Sequence, residues 1–552
     1  MKKIAQNIFY ILLGVILMTA CTDVDDPVIG DPGVPQLASS TPVDGTTDLP
    51  EGDITIVLNY DQNIFCPKAG QEKITIEGAT ITDVSFKLSQ ITIKATGLEK
   101  GKTYKLVVPA GVVLGPTYIE VPETSISFTT KADPVITATL CNPNATAQAK
   151  KVYQFLVESY KQKVISGTMA NVNWNVEEAE AVHTLTGKYP ALNTFDYVHL
   201  PYSPSNWIDY SDISPVKNWW DAGGLVSIMW HWNVPVSARL WNGNVAMPSD
   251  WSGNVQLTDA SALEGFASAK VNDIIRVAIK DVASGAQGSL KGSDWGQIAD
   301  GYEYFSISGD YYEMKITDAI LTKLKSSGLI ISGHDYTVTA VYLIPADSNG
   351  DYAFYKADTY FDAAKATVEG TRENEVFKAD LAKVATSLKQ LQSEGIAVIW
   401  RPFHEAAGGW FWWGKDADSC KKLWIAMFDY FKSQGVNNLI WVWTSESDDS
   451  SWYPGDEYVD IIGRDLYSKN TSDCASIYQS EFARYGHKVI ALSECGTVGL
   501  LSEQWSAGAR WAWFMPWYGK ADSGSKHATD EWWKDAMKQT YVITRDQVPS
   551  MK

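Results

Sequence analysis

Two rhythms of hydrophobic and polar positions divide this chain of 552 residues. Between about 36 and 132, short runs alternate apolar and polar residues with a period of two, at 53–60, 73–77, 104–108 and 125–129. Turn residues recur between these runs, and the pattern predicts a small all-β sandwich over 36–132. From about 135 onward the runs become continuously apolar, the mark of strands buried on both faces. They lie at 163–170, 189–197, 223–232, 395–404, 438–445, 459–467, 489–494 and 511–518. Amphipathic stretches, notably 375–394 and 419–434, fall between them. Eight strand–helix units predict a (β/α)8 barrel over 135–552. A doubly wound sheet is the alternative, but it leaves unexplained why polar residues stand at nearly every strand tip. A β-rich insertion at 262–346, with alternating runs at 273–279, 302–306 and 336–342, separates the third and fourth strands. Loops after barrel strands form the catalytic face, so this module is expected beside the cleft. There Trp295, Tyr302, Tyr304, Tyr311 and Tyr312 either extend a binding surface or form the module's own core.

The first residues carry a different signal. Lys2 and Lys3 precede an apolar stretch from Ile8 to Met18, which ends in Thr19-Ala20-Cys21. A basic start, a short apolar core and small residues before a cysteine predict a secretory signal over 1–21. The apolar run is shorter than the ~20 residues a membrane span requires. It resembles a bacterial lipoprotein signal, which implies lipid on Cys21. Residues 22–35, rich in Asp, Pro and Gly, read as a flexible tether. The acids Asp23, Asp25 and Asp26 resemble the export tags of surface lipoproteins in Bacteroides-like bacteria. The expectation is therefore outer-membrane attachment through the N-terminal lipid, facing the cell surface.

Composition narrows the chemistry. A net charge of −19 argues against nucleic acid, because no basic face is evident to meet phosphates. Cys66, Cys141, Cys420, Cys474 and Cys495 are scattered without CxxC pairing, so no zinc site or other cofactor is expected. All 23 tryptophans stand at position 174 or later, which leaves the N-terminal sandwich without one and casts it as a spacer.

The chemistry concentrates at two strand tips. The run 395–400 leads into Arg401-Pro402-Phe403-His404-Glu405, followed by Trp410-Phe411-Trp412-Trp413-Gly414. A second apolar run, 489–493, ends in Glu494. Two glutamates at strand ends, one embedded in indoles, suit glycosidic bond cleavage: an acid protonates the leaving oxygen while aromatic faces stack on sugars. A single glutamate at a strand end is most often a solvated surface group; the pairing reverses that reading.

These motifs closely resemble the signature of family 26 glycoside hydrolases, most of which are β-mannanases. Supporting matches are Tyr453-Pro454-Gly455-Asp456, Val459-Asp460-Ile461-Ile462-Gly463 with Asp465 and Tyr467, and Trp230-His231-Trp232 before Asn233 and Pro235. The resemblance spans about 150–545. The segment 36–132 resembles bacterial Ig-like modules through its 41–45, 109–111 and 128–130 motifs. The family resemblance implies Glu405 as acid/base, Glu494 as nucleophile and Tyr467 as hydrogen-bond donor to the nucleophile. It implies retention of configuration, with carboxyl groups about 5–5.5 Å apart. His231, His404, Trp410, Trp517, Trp232 and Asp465 are the implied substrate contacts, with Arg401 holding a barrel carboxylate such as Asp465. Trp412, Trp413, Trp441 and Trp443 are expected to pack the core. The implied activity is that of an endo-β-1,4-mannanase acting on mannan, glucomannan or galactomannan. A β-glucanase or β-xylanase of the same family, or a surface glycan-binding lipoprotein, are the alternatives.

Overall fold

The computed structural model describes residues 33–170, 174–200, 208–346, 350–519 and 527–552, so Cys21 and the predicted signal segment 1–21 lie outside the described residues. The chain divides into two compact units, 1–134 and 135–552. The first is a sandwich of two four-stranded sheets. One orders Leu37–Thr41, Gly52–Tyr60, Gln90–Leu98 and Thr80–Lys87 side by side, all antiparallel. The other orders Thr46–Leu49, Thr124–Thr130, Thr103–Val108 and Thr75–Ile76. Period-two alternation sends Ile56, Leu58, Ile91 and Ile93 from one sheet against Leu106, Ile126 and Phe128 from the other.

The second unit is a closed barrel of eight parallel strands. They are β1 (Val164–Met169), β2 (Leu192–Asp196), β3 (Leu225–Met229), β4 (Val398–Arg401), β5 (Leu439–Ser445), β6 (Ile461–Tyr467), β7 (Val489–Gly496) and β8 (Trp513–Pro516). Each pairs with the next, and pairing of β1 with both β2 and β8 closes the ring. Ile228, Val398, Trp400, Ile440, Val442, Ile462, Ile490 and Phe514 fill the core, as strands covered on both faces require. Helices Arg372–Ser393 and Ala417–Ser433 follow β3 and β4, capped by Thr371 and Asp416 side chains that accept from backbone N–H groups. Two 3-10 turns, Ser450–Trp452 and Asp456–Tyr458, connect β5 to β6 in place of a helix.

Two boundaries differ from the sequence reading. β4 is shorter than the predicted 395–404. Gly395 has φ +71° before it, Pro402 has no N–H to extend the ladder, and Phe403 and Glu405 take left-handed conformations at φ +47° and +51°. The inserted module begins at Ala238 rather than 262. Ala238–Met247 pairs antiparallel with Tyr336–Ile344, and the register shifts between Asn242 and Val245. The Asn242-Gly243-Asn244 segment has turn-forming composition but passes through the strand as an irregularity, which hides the strand from pattern reading.

The module is itself a sandwich. One sheet orders Ala238–Met247, Tyr336–Ile344, Ile274–Lys280 and Tyr311–Lys315; the other orders Asn254–Leu257, Leu329–His334, Gln287–Lys291 and Phe305–Ser306. Its core contains Ile275, Val277, Leu290, Met314, Ile331 and Val341, and Tyr312 is buried there as well. Trp295, Tyr304 and Tyr311 stay exposed. Val234–Pro235 pairs with Tyr352–Ala353 to form the neck that joins the module to the barrel.

Candidate active site

The site is organised around one buried cation. Arg401, the last residue of β4, donates from Nη1 to Asp465 Oδ2 at 2.7 Å and from Nη2 to Glu494 Oε2 at 2.5 Å. Asp465 on β6 and Glu494 on β7 are direct register partners, just past an irregularity that shifts the pairing by one residue. That bulge lets consecutive residues of β7 serve one site: Ser493 Oγ donates to Asp465 Oδ1 at 2.7 Å while Glu494 faces the guanidinium. Tyr467, at the tip of β6, donates its hydroxyl to Glu494 Oε1 at 2.6 Å. Burial and the Glu494 charge push the Tyr467 phenol far above its ordinary value, so it remains a donor. Both oxygens of Glu494 thus accept strong hydrogen bonds, the pattern that suits an ionised carboxylate.

Glu405 lies on the loop after β4, opposite this arrangement. Its Oε2 accepts from the Trp410 indole N–H at 3.1 Å. One carboxylate oxygen each from Glu405, Asp465 and Glu494 lie within 4.8 Å of one another, and Arg401 supplies the positive charge to this triad. Burial, followed by the charges of Asp465, Glu494 and Glu446, holds the Glu405 carboxyl well above the ordinary carboxylate range; Arg401 opposes the shift. The left-handed backbone at Glu405 is strained for a residue with a Cβ, and its carbonyl accepts from the Gly408 N–H at 3.1 Å in the turn that follows.

Around the carboxyl pair, His231 Nδ1 lies 2.5 Å from Asp196 Oδ2, and the His231 backbone N–H donates to Asp196 Oδ1 at 3.0 Å. The His231 ring contacts His404, Phe411 and Trp517 edge to face, with centroids 4.5, 5.6 and 5.7 Å away. His404 is buried, which pushes its pKa well below the ordinary imidazole value, aided by His231 and Arg401; it is neutral. Trp517 is half-buried and Trp410 is 43% exposed, so both have indole surface open to solvent. The neck contributes Tyr355, 47% exposed and stacked on Phe411 at 5.6 Å.

Not every predicted contact reaches the cleft. Trp232 is 1% exposed, stacked on Trp230 at 3.8 Å and on Phe377 at 5.4 Å, and its N–H donates to Asp380 at 2.7 Å. It is a wall residue. Asp465 is sealed behind Arg401 and Ser493. Trp412, Trp413, Trp441 and Trp443 are buried in the core. Sequence reasoning missed Asp196 and Tyr355, and it gave no separate role to Phe411 within the 410–414 motif. Asp196 closes the apolar run of β2 and meets the same criterion that singled out Glu494. Tyr355 returns from a long insertion and has no local signal.

A closed (β/α)8 barrel with a carboxyl pair converging from the ends of β4 and β7, flanked by indoles with surface open to solvent, is the framework of a glycoside hydrolase. The chain belongs to glycosyl hydrolase family 26, whose profile matches residues 141–294 and 295–547. A bacterial Ig-like domain profile matches residues 31–130. Mannan endo-1,4-beta-mannosidase B of Piromyces sp is 25% identical over 541 residues, covering 93% of this chain and 73% of that protein. A mannan endo-1,4-beta-mannosidase of Thermothelomyces thermophilus is 26% identical, covering 86% of this chain and 77% of that protein. Among solved structures, the family 26 domain of an endo-beta-mannanase/endo-beta-glucanase from Prevotella bryantii is 34% identical with a TM-score of 0.51. That match covers 75% of this chain and 99% of the Prevotella chain.

Proposed function

We propose that this chain is a retaining endo-β-1,4-mannanase, with Glu494 as nucleophile and Glu405 as general acid/base. The observation that carries the reading is the pair of glutamates with carboxylate oxygens within 4.8 Å and opposed surroundings. Inverting enzymes need carboxyl groups about 6.5–9.5 Å apart to admit a water, so the short separation favours double displacement. Glu494, its oxygens held by Arg401 and Tyr467, attacks the anomeric carbon as Glu405 gives its proton to the departing glycosidic oxygen. A covalent glycosyl ester forms and the C–O bond to the leaving sugar breaks. Glu405, now ionised, takes a proton from water; the water oxygen bonds to the anomeric carbon and frees Glu494. The mannan-cleaving relatives support β-1,4-mannan, glucomannan or galactomannan as the substrate. The fixing of His231 by Asp196 and the solvent-open indoles of Trp410 and Trp517 support these three side chains as sugar contacts.

The lipoprotein-like start supports an enzyme tethered to the outer membrane through lipid on Cys21, with the tryptophan-free sandwich as spacer. The test is incubation of the chain lacking residues 1–21 with linear β-1,4-mannan. A spread of oligosaccharides should appear early, and Glu494→Ala or Glu405→Ala should lower the rate by roughly 10²–10⁴-fold. A single short product, or turnover retained in Glu494→Ala, contradicts the assignment.

A further inference from the structure

The module between β3 and β4 has a sheet face that the proposed chemistry leaves unused. In its second sheet, alternation sends Val255, Leu257, Leu290, Leu329 and Ile331 into the module core. The alternate residues therefore share the outer face. Antiparallel register sets Gln287 beside both His334 and Ser306, and Ser289 beside Ser332. Trp251, on the turn before the first strand of this sheet, lies across the end of that face. Its ring centroid is 4.9 Å from His334 and 5.6 Å from Tyr304. Tyr304 is 60% exposed.

Three features distinguish this cluster from an ordinary surface. Trp251 has φ +64°, a conformation that a bulky residue rarely takes and that binding sites often hold against strain. Its turn is fixed by its own N–H to Pro248 O at 3.0 Å and by Ser252 N–H to Asp250 Oδ1 at 3.0 Å. Second, the facing pair Ser289 and Ser332 on the two middle strands is buried, so the middle of this face carries hydroxyls where the opposite face carries Leu290 and Ile331. Third, the charged groups are engaged: His334 Nδ1 is 2.7 Å from Asp335 Oδ2, and Lys291 Nζ lies over the Trp295 ring at 5.5 Å. What the face offers is aromatic surface with amide, hydroxyl and imidazole groups beside it. That combination suits a neutral pyranose, whose C–H face stacks while its hydroxyls exchange hydrogen bonds.

We propose that the Trp251–Tyr304–His334 face is a second carbohydrate-binding site, outside the catalytic cleft, for a neutral β-linked glycan chain. The chemistry of the face carries the site; the choice of β-mannan as its polymer rests on the mannanase reading. The neck gives the site a purpose. Residues returning from the module lead directly into the cleft wall, where Lys356 N–H donates to Trp410 O at 2.7 Å and Tyr355 stacks on Phe411. A polymer held on the module is thereby kept at high local concentration near Glu405.

The test uses the full chain in an inactive Glu494→Ala background, run through native gels containing linear β-1,4-mannan, glucomannan or xylan. Tyr304→Ala and Trp251→Asn are introduced singly, since Asn tolerates the left-handed conformation and Tyr304 is an exposed ring. Each should weaken retention by at least one polymer roughly tenfold, a reasonable loss for one stacking ring. In the active background each should slow attack on insoluble mannan several-fold. kcat/KM on a short soluble manno-oligosaccharide should stay at the wild-type value. Unchanged retention in Tyr304→Ala overturns the site while leaving the mannanase reading intact, as does equal absence of retention in parent and variants on every polymer. Loss of retention on xylan or glucomannan alone, with no cleavage of mannan by the wild type, keeps the site and overturns the mannanase reading.

Discussion

At Glu494 one oxygen accepts from Arg401 and the other from Tyr467, whereas Glu405 accepts a single indole N–H amid buried carboxylates. Identical side chains thus meet different surroundings: donors hold both oxygens of Glu494, while burial and neighbouring carboxylates raise the Glu405 pKa. Two consequences follow at this scale. Tyr467→Phe removes a charge-assisted donor and should lower kcat roughly 10–100-fold with little change in KM, measured on a mannan oligosaccharide. Because Glu405 must be protonated for the first step, and its pKa is raised, activity should persist above the ordinary carboxylate range and fall as pH rises through the shifted value. Glu405→Gln should abolish that alkaline limb on an aryl mannoside with an activated leaving group. An unchanged alkaline limb in the variant contradicts the acid assignment. The glutamates were legible in the sequence because apolar strands end at polar residues. The family resemblance implies Trp232 as a sugar contact. Yet Trp230 and Trp232 stack on each other at 3.8 Å, leaving His231 between them in sequence to point into the cleft.

The eight barrel strands appear where continuous apolar runs predict them, because burial on both faces leaves an unambiguous pattern. Their ends are less legible. Left-handed residues at Phe403 and Glu405 stop β4 early, and the bulge at Asp465 and Glu494 depends on pairing between strands that single-chain periodicity does not contain. The module's first strand was hidden by its Asn-Gly-Asn segment. At the element scale, the Trp232–Asp380 hydrogen bond fixes the segment after β3 to helix Arg372–Ser393. Burial pushes Asp380 up to about 7, with the Trp232 hydrogen bond opposing. The folded state therefore keeps a proton that the unfolded chain releases near the ordinary carboxylate value. The stability it confers is present at low pH and is lost as pH rises through about 7. Asp380→Asn retains an acceptor for the indole without the titration. Its melting temperature should exceed that of the wild type by about 2–4 °C at pH 8 and converge with it near pH 4. A difference independent of pH contradicts this account.

Each of the two units has its own hydrophobic core, and the site residues all belong to 135–552. The segment 135–552 alone should therefore fold and hydrolyse a soluble manno-oligosaccharide with kcat/KM within about twofold of the chain lacking residues 1–21. A large loss would assign the sandwich a part in catalysis. The division between units was legible from the change in hydrophobic period near 135, and from tryptophans confined to the later segment. What remained hidden was tertiary: Tyr355 reaches the cleft wall only because the module returns the chain there. Glu494 and Glu405 are proposed to cut β-mannan by double displacement. The most direct measurement is proton NMR of the first anomer released from linear β-1,4-mannan by the wild-type chain. Double displacement on a β-linked polymer predicts that the β-anomer of the new reducing end appears first and then mutarotates. Initial appearance of the α-anomer would contradict it.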